Sequence, residues 1–148
     1  MLEVALLLPM LLILLLGVIE VGRYAYIAIL VGNAARAGAG YGAQSLPLSV
    51  DTTGIQTAAD NDFQNNGQDV SNLTVSSSTS CGCDSAGTVT LATSCSTKIN
   101  PSAGTCTSGH WVVMVSVAAS GTFSSLFNYP GIPTSITVSR SDTERVAQ

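Results

Sequence analysis

Four cysteines, one histidine and three charged side chains set in apolar sequence are the residues of this chain whose types could do chemistry. The cysteines cluster as Cys81-Gly82-Cys83, then Cys95 and Cys106. Zinc favours Cys-x-x-Cys knuckles with partners at matching spacing, whereas here the pair is Cys-x-Cys and the only histidine, His110, lies four residues past Cys106. An even number of thiols in a small, loop-rich segment reads instead as two disulfides, each contributing about 2–4 kcal/mol by restricting the unfolded chain. Three pairings exist. Closing Cys81 onto Cys83 would strain a very short ring, so one of the two is expected to meet Cys95 and the other Cys106. No metal and no cofactor is expected.

Catalysis finds no footing. There is no G-x-S-x-G, no glycine-rich phosphate loop and no H-E-x-x-H, and His110 beside Trp111 reads as a strand-edge residue. The chain is therefore read as a non-enzyme. Asn72-Leu73-Thr74 fits an N-glycosylation pattern, and the Ser/Thr-rich surface could equally carry O-linked sugars.

The charged residues are Glu3, Glu20 and Arg23. From Val4 to Ile19 every residue is apolar, Pro or Gly, with Glu3 in front and Glu20 behind. These sixteen positions make roughly 24 Å of helix, somewhat short of the ~30 Å hydrocarbon core of a bilayer. Glu20 and Arg23 stand three apart, on one helix face, and can neutralise one another near an interface. Tyr24 and Tyr26 then fall where interfacial aromatics lie, and Ile27 to Val31 lengthen the apolar stretch enough to span with some tilt. A cleaved signal peptide would want a basic n-region, and none precedes the apolar run. A buried helix of a soluble domain would need more apolar surface around it than the remaining hundred or so residues supply.

Glu3 is the sharpest clue. A carboxylate heading an apolar helix is costly in lipid unless it is neutralised, or unless it lies among headgroups. Pro9 lacks an N–H and should kink or locally melt the helix around residues 5 to 9. Gly38, Gly40 and Gly42, with alanines between them, allow close helix approach or a frayed hinge.

These features divide the chain into a helix over residues 1–43 and a head over 44–148. Charged residues are only 9% of the total, far below the ~25% of an ordinary soluble domain, so much of the surface must be covered by membrane, neighbours or sugars. A net charge of −4 with five basic side chains excludes a nucleic-acid groove. In the head, Thr53 could cap a short helix over Thr53–Phe63, with Ile55, Ala58, Ala59 and Phe63 on one apolar edge. Period-two patterns predict strands at Val70–Ser76, Gly87–Thr93, Trp111–Ala119 and Ser135–Arg140. Tyr129-Pro130-Gly131-Ile132-Pro133 reads as a turn before the last of them. The expected fold is α+β: a long N-terminal hydrophobic helix, then a small antiparallel sheet of three or four strands packed on the helix's C-terminal half.

The run L-E-V-A-L-L-L-P-M-L-L-I-L-L-L-G-V-I-E-V-G-R-Y-A-Y, followed by N-A-A-R-A-G-A, resembles the TadE-like family of pilin-related proteins. Glu3, Pro9, Gly17, Glu20, Gly22, Arg23, Asn33, Ala34, Ala35 and Arg36 carry the resemblance, and the last strands echo it more weakly. It implies a proline-associated break in the helix and a mature chain produced by prepilin peptidase cutting off a basic leader. A glutamate near the new N-terminus would then face the amino group of a neighbouring subunit. Glu3 matches that glutamate in its place before the apolar run, although in pilins it is usually the fifth mature residue and here is the third. The lack of a basic leader fits a mature chain.

The resemblance implies a structural subunit that leaves the inner membrane and polymerises through its helix into an extracellular, type IV pilus-like filament for surface attachment. Its partners would be further copies of itself, the inner membrane before assembly, prepilin peptidase and the pilus assembly machinery, with surface glycans possible and no nucleic acid. Glu3, Pro9, Glu20 and Arg23 are the expected assembly residues. The competing reading is a single-pass membrane-anchored minor pseudopilin or adhesin-type module that never polymerises. Glu3 separates the two, because only an assembling helix has a use for an acid at its head.

Overall fold

The computed structural model describes residues 2–92, 95, 106–127 and 133–147, with the backbone alone for residues 2–6. Helix α1 spans Leu2–Ala43 without a break. Leucine, methionine and alanine favour this state, and Pro9 removes only the bond to the carbonyl of Ala5. The local melting expected around residues 5 to 9 is not seen: the helix continues through the proline.

After a 3₁₀ turn at Leu48–Val50, helix α2 runs from Thr52 to Asn65. Its cap is Asp51 rather than Thr53. The Asp51 carboxylate accepts the N–H of Gly54 at 3.0 Å, and Thr53 is already the second residue of the helix, where its carbonyl accepts the Thr57 hydroxyl at 2.8 Å. Ile55, Ala59 and Phe63 are the buried edge of α2, while Ala58 is only half-buried. That edge lies mainly on α1.

Among the described residues four antiparallel strands follow: β1 (Leu73–Ser85), β2 (Thr88–Leu91), β3 (His110–Ser124) and β4 (Ser135–Arg145), in the order β2-β1-β3-β4. Residues Val70–Asn72 form a 3₁₀ turn instead of opening the first strand, because the Asp69 side chain accepts the Ser71 N–H at 2.9 Å and bends the backbone. Ala86 and Gly87 join β1 to β2 with φ of 52° and 85°, the two left-handed residues that a tight hairpin requires. Strand β4 extends through the charged run Ser141–Arg145, which pairs in register with Met114–Ala118. The expected turn at Tyr129–Pro133 falls, apart from Pro133, outside the described residues.

The core lies between α1 and the sheet. Leu30, Val31, Ala34, Ala35 and Ala39 on the helix meet α2 and the inward residues Val113, Val115, Val117, Ala119 and Phe123 of β3. A Cβ at Gly38 would stand 3.2 Å from Val117, and one at Gly42 3.0 Å from Val115. Gly38 and Gly42 thus serve close approach of the helix to its own sheet, while Gly40 faces open space, and the helix does not fray at any of the three. Nothing between Leu7 and Ile19 is buried, and this half of α1 projects beyond the sheet.

Candidate functional site

Glycines and inward side chains fix the direction of packing. Val31 lies by Gly121, Gly38 by Val117 and Gly42 by Val115, so α1 runs antiparallel to β3. The end of β3 therefore returns to the place on the helix where the apolar run stops. There Glu20, only 13% exposed, pairs with Arg23 at 2.9 Å. Its other oxygen accepts the backbone N–H of Leu126 at 2.7 Å and the Ser125 hydroxyl at 3.3 Å.

Aromatic contacts complete the joint. The Arg23 guanidinium sits 5.3 Å from the centre of the Phe123 ring, and Tyr24 meets the same ring edge-on at 5.7 Å. Beneath them lies a groove of about 440 Å³ running from Ile13 to Tyr24 on the helix and closed on the other side by Phe123, Pro133 and Ile136. Glu20 and Arg23 emerged from the sequence as a local pair. Their partners on β3 and in the segment after it carry no local signal, since Leu126 is 106 residues away from Glu20.

The other expected assembly residues stand apart from this joint. Pro9 is inside the projecting half of α1, and the side chain of Glu3 lies outside the described residues. The cysteines are at the opposite end of the sheet, near the end of α1. Cys81 bonds Cys95 and Cys83 bonds Cys106, with Cα separations of 5.8 and 5.7 Å. This is the expected division of the Cys81/Cys83 pair, and it leaves no thiolate for a metal. His110 opens β3 beside Asp84, Nε2 to Oδ2 3.7 Å, while Arg145 reaches the same carboxylate at 3.2 Å. The three polar side chains lie together at that end of the sheet.

Two carboxyls in the head are held below the ordinary aspartate range. For Asp51 the cause is the Gly54 N–H, then the Tyr41 hydroxyl at 3.0 Å. For Asp69 it is the N–H and hydroxyl of Ser71. Both serve local backbone turns.

The unburied apolar half-helix and the Glu20/Arg23 pair behind it both lie in the part of the chain that is similar to a known family. Residues 1–40 match the TadE-like protein family model. No curated protein and no solved structure matches the chain. The TadE-like match covers most of α1 and stops short of the sheet, so the head lies beyond it. Together with the apolar helix, this similarity over residues 1–40 suggests a Tad pilus-related protein. The helix over Leu7–Ala43 is long and apolar enough to cross a membrane.

Proposed function

We propose that this chain is a structural pilin-like subunit, held in the inner membrane by α1 and then polymerised through that helix into an extracellular, type IV pilus-like filament. One observation carries the reading: Leu7 to Ile19 present their large apolar side chains to the surroundings, with Leu11, Ile13 and Leu14 each more than 60% exposed. Water does not tolerate an apolar surface of that extent, so it is covered by lipid before assembly and by the helices of neighbouring copies afterwards. The TadE-like match supports the same assignment.

Within this scheme Glu3 sets register by facing the amino terminus of a neighbouring copy, and Pro9 removes a bond from the same helix. Glu20 and Arg23 keep the head in a fixed pose on the helix as it leaves the bilayer. The two disulfides brace a head exposed to an oxidising compartment. Prepilin peptidase, the assembly machinery and surface glycans are the partners implied.

The test is microscopy of material sheared from cells, with antibody against the head. Labelled filaments that vanish on deletion of this chain's gene support the proposal. Label confined to membranes, with filaments unchanged by the deletion, overturns it in favour of the anchored pseudopilin or adhesin module.

A further inference from the structure

The joint at Glu20 has an apolar rim. Leu126 is 62% exposed, Phe127 43% and Ile136 38%, and all three lie around the groove or on the segment clasped by Glu20. On the helix beside them Val21 is 69% exposed and Tyr24 37%. These residues continue the exposed apolar surface of Leu7–Ile19 past the point where the apolar sequence ends.

We infer that this rim rests in the extracytoplasmic leaflet of the membrane that α1 spans, with lipid acyl chains against the groove and the Ser125–Phe127 segment at the interface. The inference rests on the anchoring half of the proposed function and goes beyond it, since an anchored head could equally stand clear of the bilayer on its helix.

Three observations carry it. First, position: the Glu20–Leu126 hydrogen bond of 2.7 Å fixes Leu126 at the level of helix residue 20, just where the apolar run Val4–Ile19 ends. Second, length: the run from Val4 to Ile19 reaches roughly 24 Å against a core of ~30 Å, a shortfall of about one helical turn. Val21, Tyr24, Leu126 and Ile136 supply apolar surface over that missing depth. Third, charge: Glu20 would resist such depth, but its carboxylate is held by Arg23, Ser125 and Leu126 and is nearly covered. A carboxylate satisfied inside the chain can sit at the boundary where a free one could not.

The occupant is bilayer lipid because the lining is almost wholly apolar and open, and because it is continuous with the helix surface that lipid already covers. A soluble ligand would find few polar groups there to fix its orientation.

The experiment uses the full chain in vesicles of phosphatidylethanolamine and phosphatidylglycerol whose acyl chains carry bromine as a fluorescence quencher. In a Trp111→Phe background, single tryptophans are introduced as Leu126→Trp, Ile136→Trp, Thr88→Trp and Leu12→Trp. Leu126→Trp and Ile136→Trp should shift to the blue and lose most of their emission to the brominated lipid, as Leu12→Trp does, while Thr88→Trp at the far end of the sheet keeps its emission. If Leu126→Trp and Ile136→Trp both remain bright in brominated vesicles and are quenched by acrylamide, while Leu12→Trp is quenched by lipid, the inference is overturned and the anchor stands. If Leu12→Trp is also untouched by lipid, the anchoring reading falls and takes the inference with it.

Discussion

The carboxylate of Glu20 accepts the backbone N–H of Leu126 at 2.7 Å, tying the middle of the long helix to the segment just past the end of β3 across 106 residues of sequence. The same side chain pairs with Arg23. One acid thus fixes the pose of the head on the helix. Replacing it should loosen that joint first. Glu20→Ala should lower the local opening free energy by about 1.5–3 kcal/mol, the worth of hydrogen bonds to a charged group. Amide exchange in detergent micelles reads this as faster exchange at Leu126 with unchanged protection at Val117. Equal acceleration at both sites would mean that Glu20 supports the whole head.

Packing of α1 on β3 depends on Gly121. A Cβ there would stand 2.5 Å from Val31 Cγ2, closer than real side chains approach. Gly121→Ala should cost about 1–3 kcal/mol by overpacking, and Val31→Ala in the same chain should recover part of it. Urea unfolding of the two single variants and the double variant gives the coupling. Additive losses would show that the two residues do not share the contact.

Peptide mapping of the exported protein should recover Cys81–Cys95 and Cys83–Cys106 as intramolecular bridges. Removing either pair should cost about 2–4 kcal/mol, with slightly more for Cys83–Cys106, which closes the longer loop. Four free thiols in the exported chain would contradict the assignment.

Acid should destabilise the start of α2. Asp51 has its carboxyl lowered in the folded state by the Gly54 N–H and the Tyr41 hydroxyl. A depressed folded value means that the stabilisation is fully present above the unfolded carboxyl's ordinary range, ~3.9, and is lost as pH falls through the folded value. Asp69 adds to it with the same sign. The melting temperature should therefore fall on acidification, and Asp51→Asn should flatten that fall while lowering the plateau. An unchanged slope in the variant would remove Asp51 from the account.

Glu3→Gln should reduce incorporation into filaments far more than it reduces the folding of the head. In a water-poor core of packed helices, losing one partner of a buried ion pair costs about 3–5 kcal/mol, while the sheet lies a long helix away. Filaments per cell, counted against membrane-bound subunit, measure it. A normal yield would deny Glu3 its role in register.

Much of this protein is written in local sequence. Val4–Ile19 make an apolar helix because nothing polar interrupts them, the alternation in Trp111–Ala119 makes a strand with one face inside, and two cysteines one residue apart, too close to bond each other, are shared between two distant partners. These follow from side-chain type and spacing, which act over a few residues. Tertiary structure decided the rest. Asp51 displaced Thr53 as the cap because Tyr41 of α1 donates to its second oxygen. The charged run Ser141–Arg145 became strand because β3 was there to pair with its backbone, whatever its side chains. Pro9 left the helix unbroken although its missing N–H argued for a local break. Glu20 found Leu126 only because α1 and β3 lie antiparallel, with Gly38, Gly42 and Gly121 letting them approach. A hydrogen bond between residues so far apart depends on the direction and depth of packing, and those are properties of the folded core that no single stretch of the sequence contains.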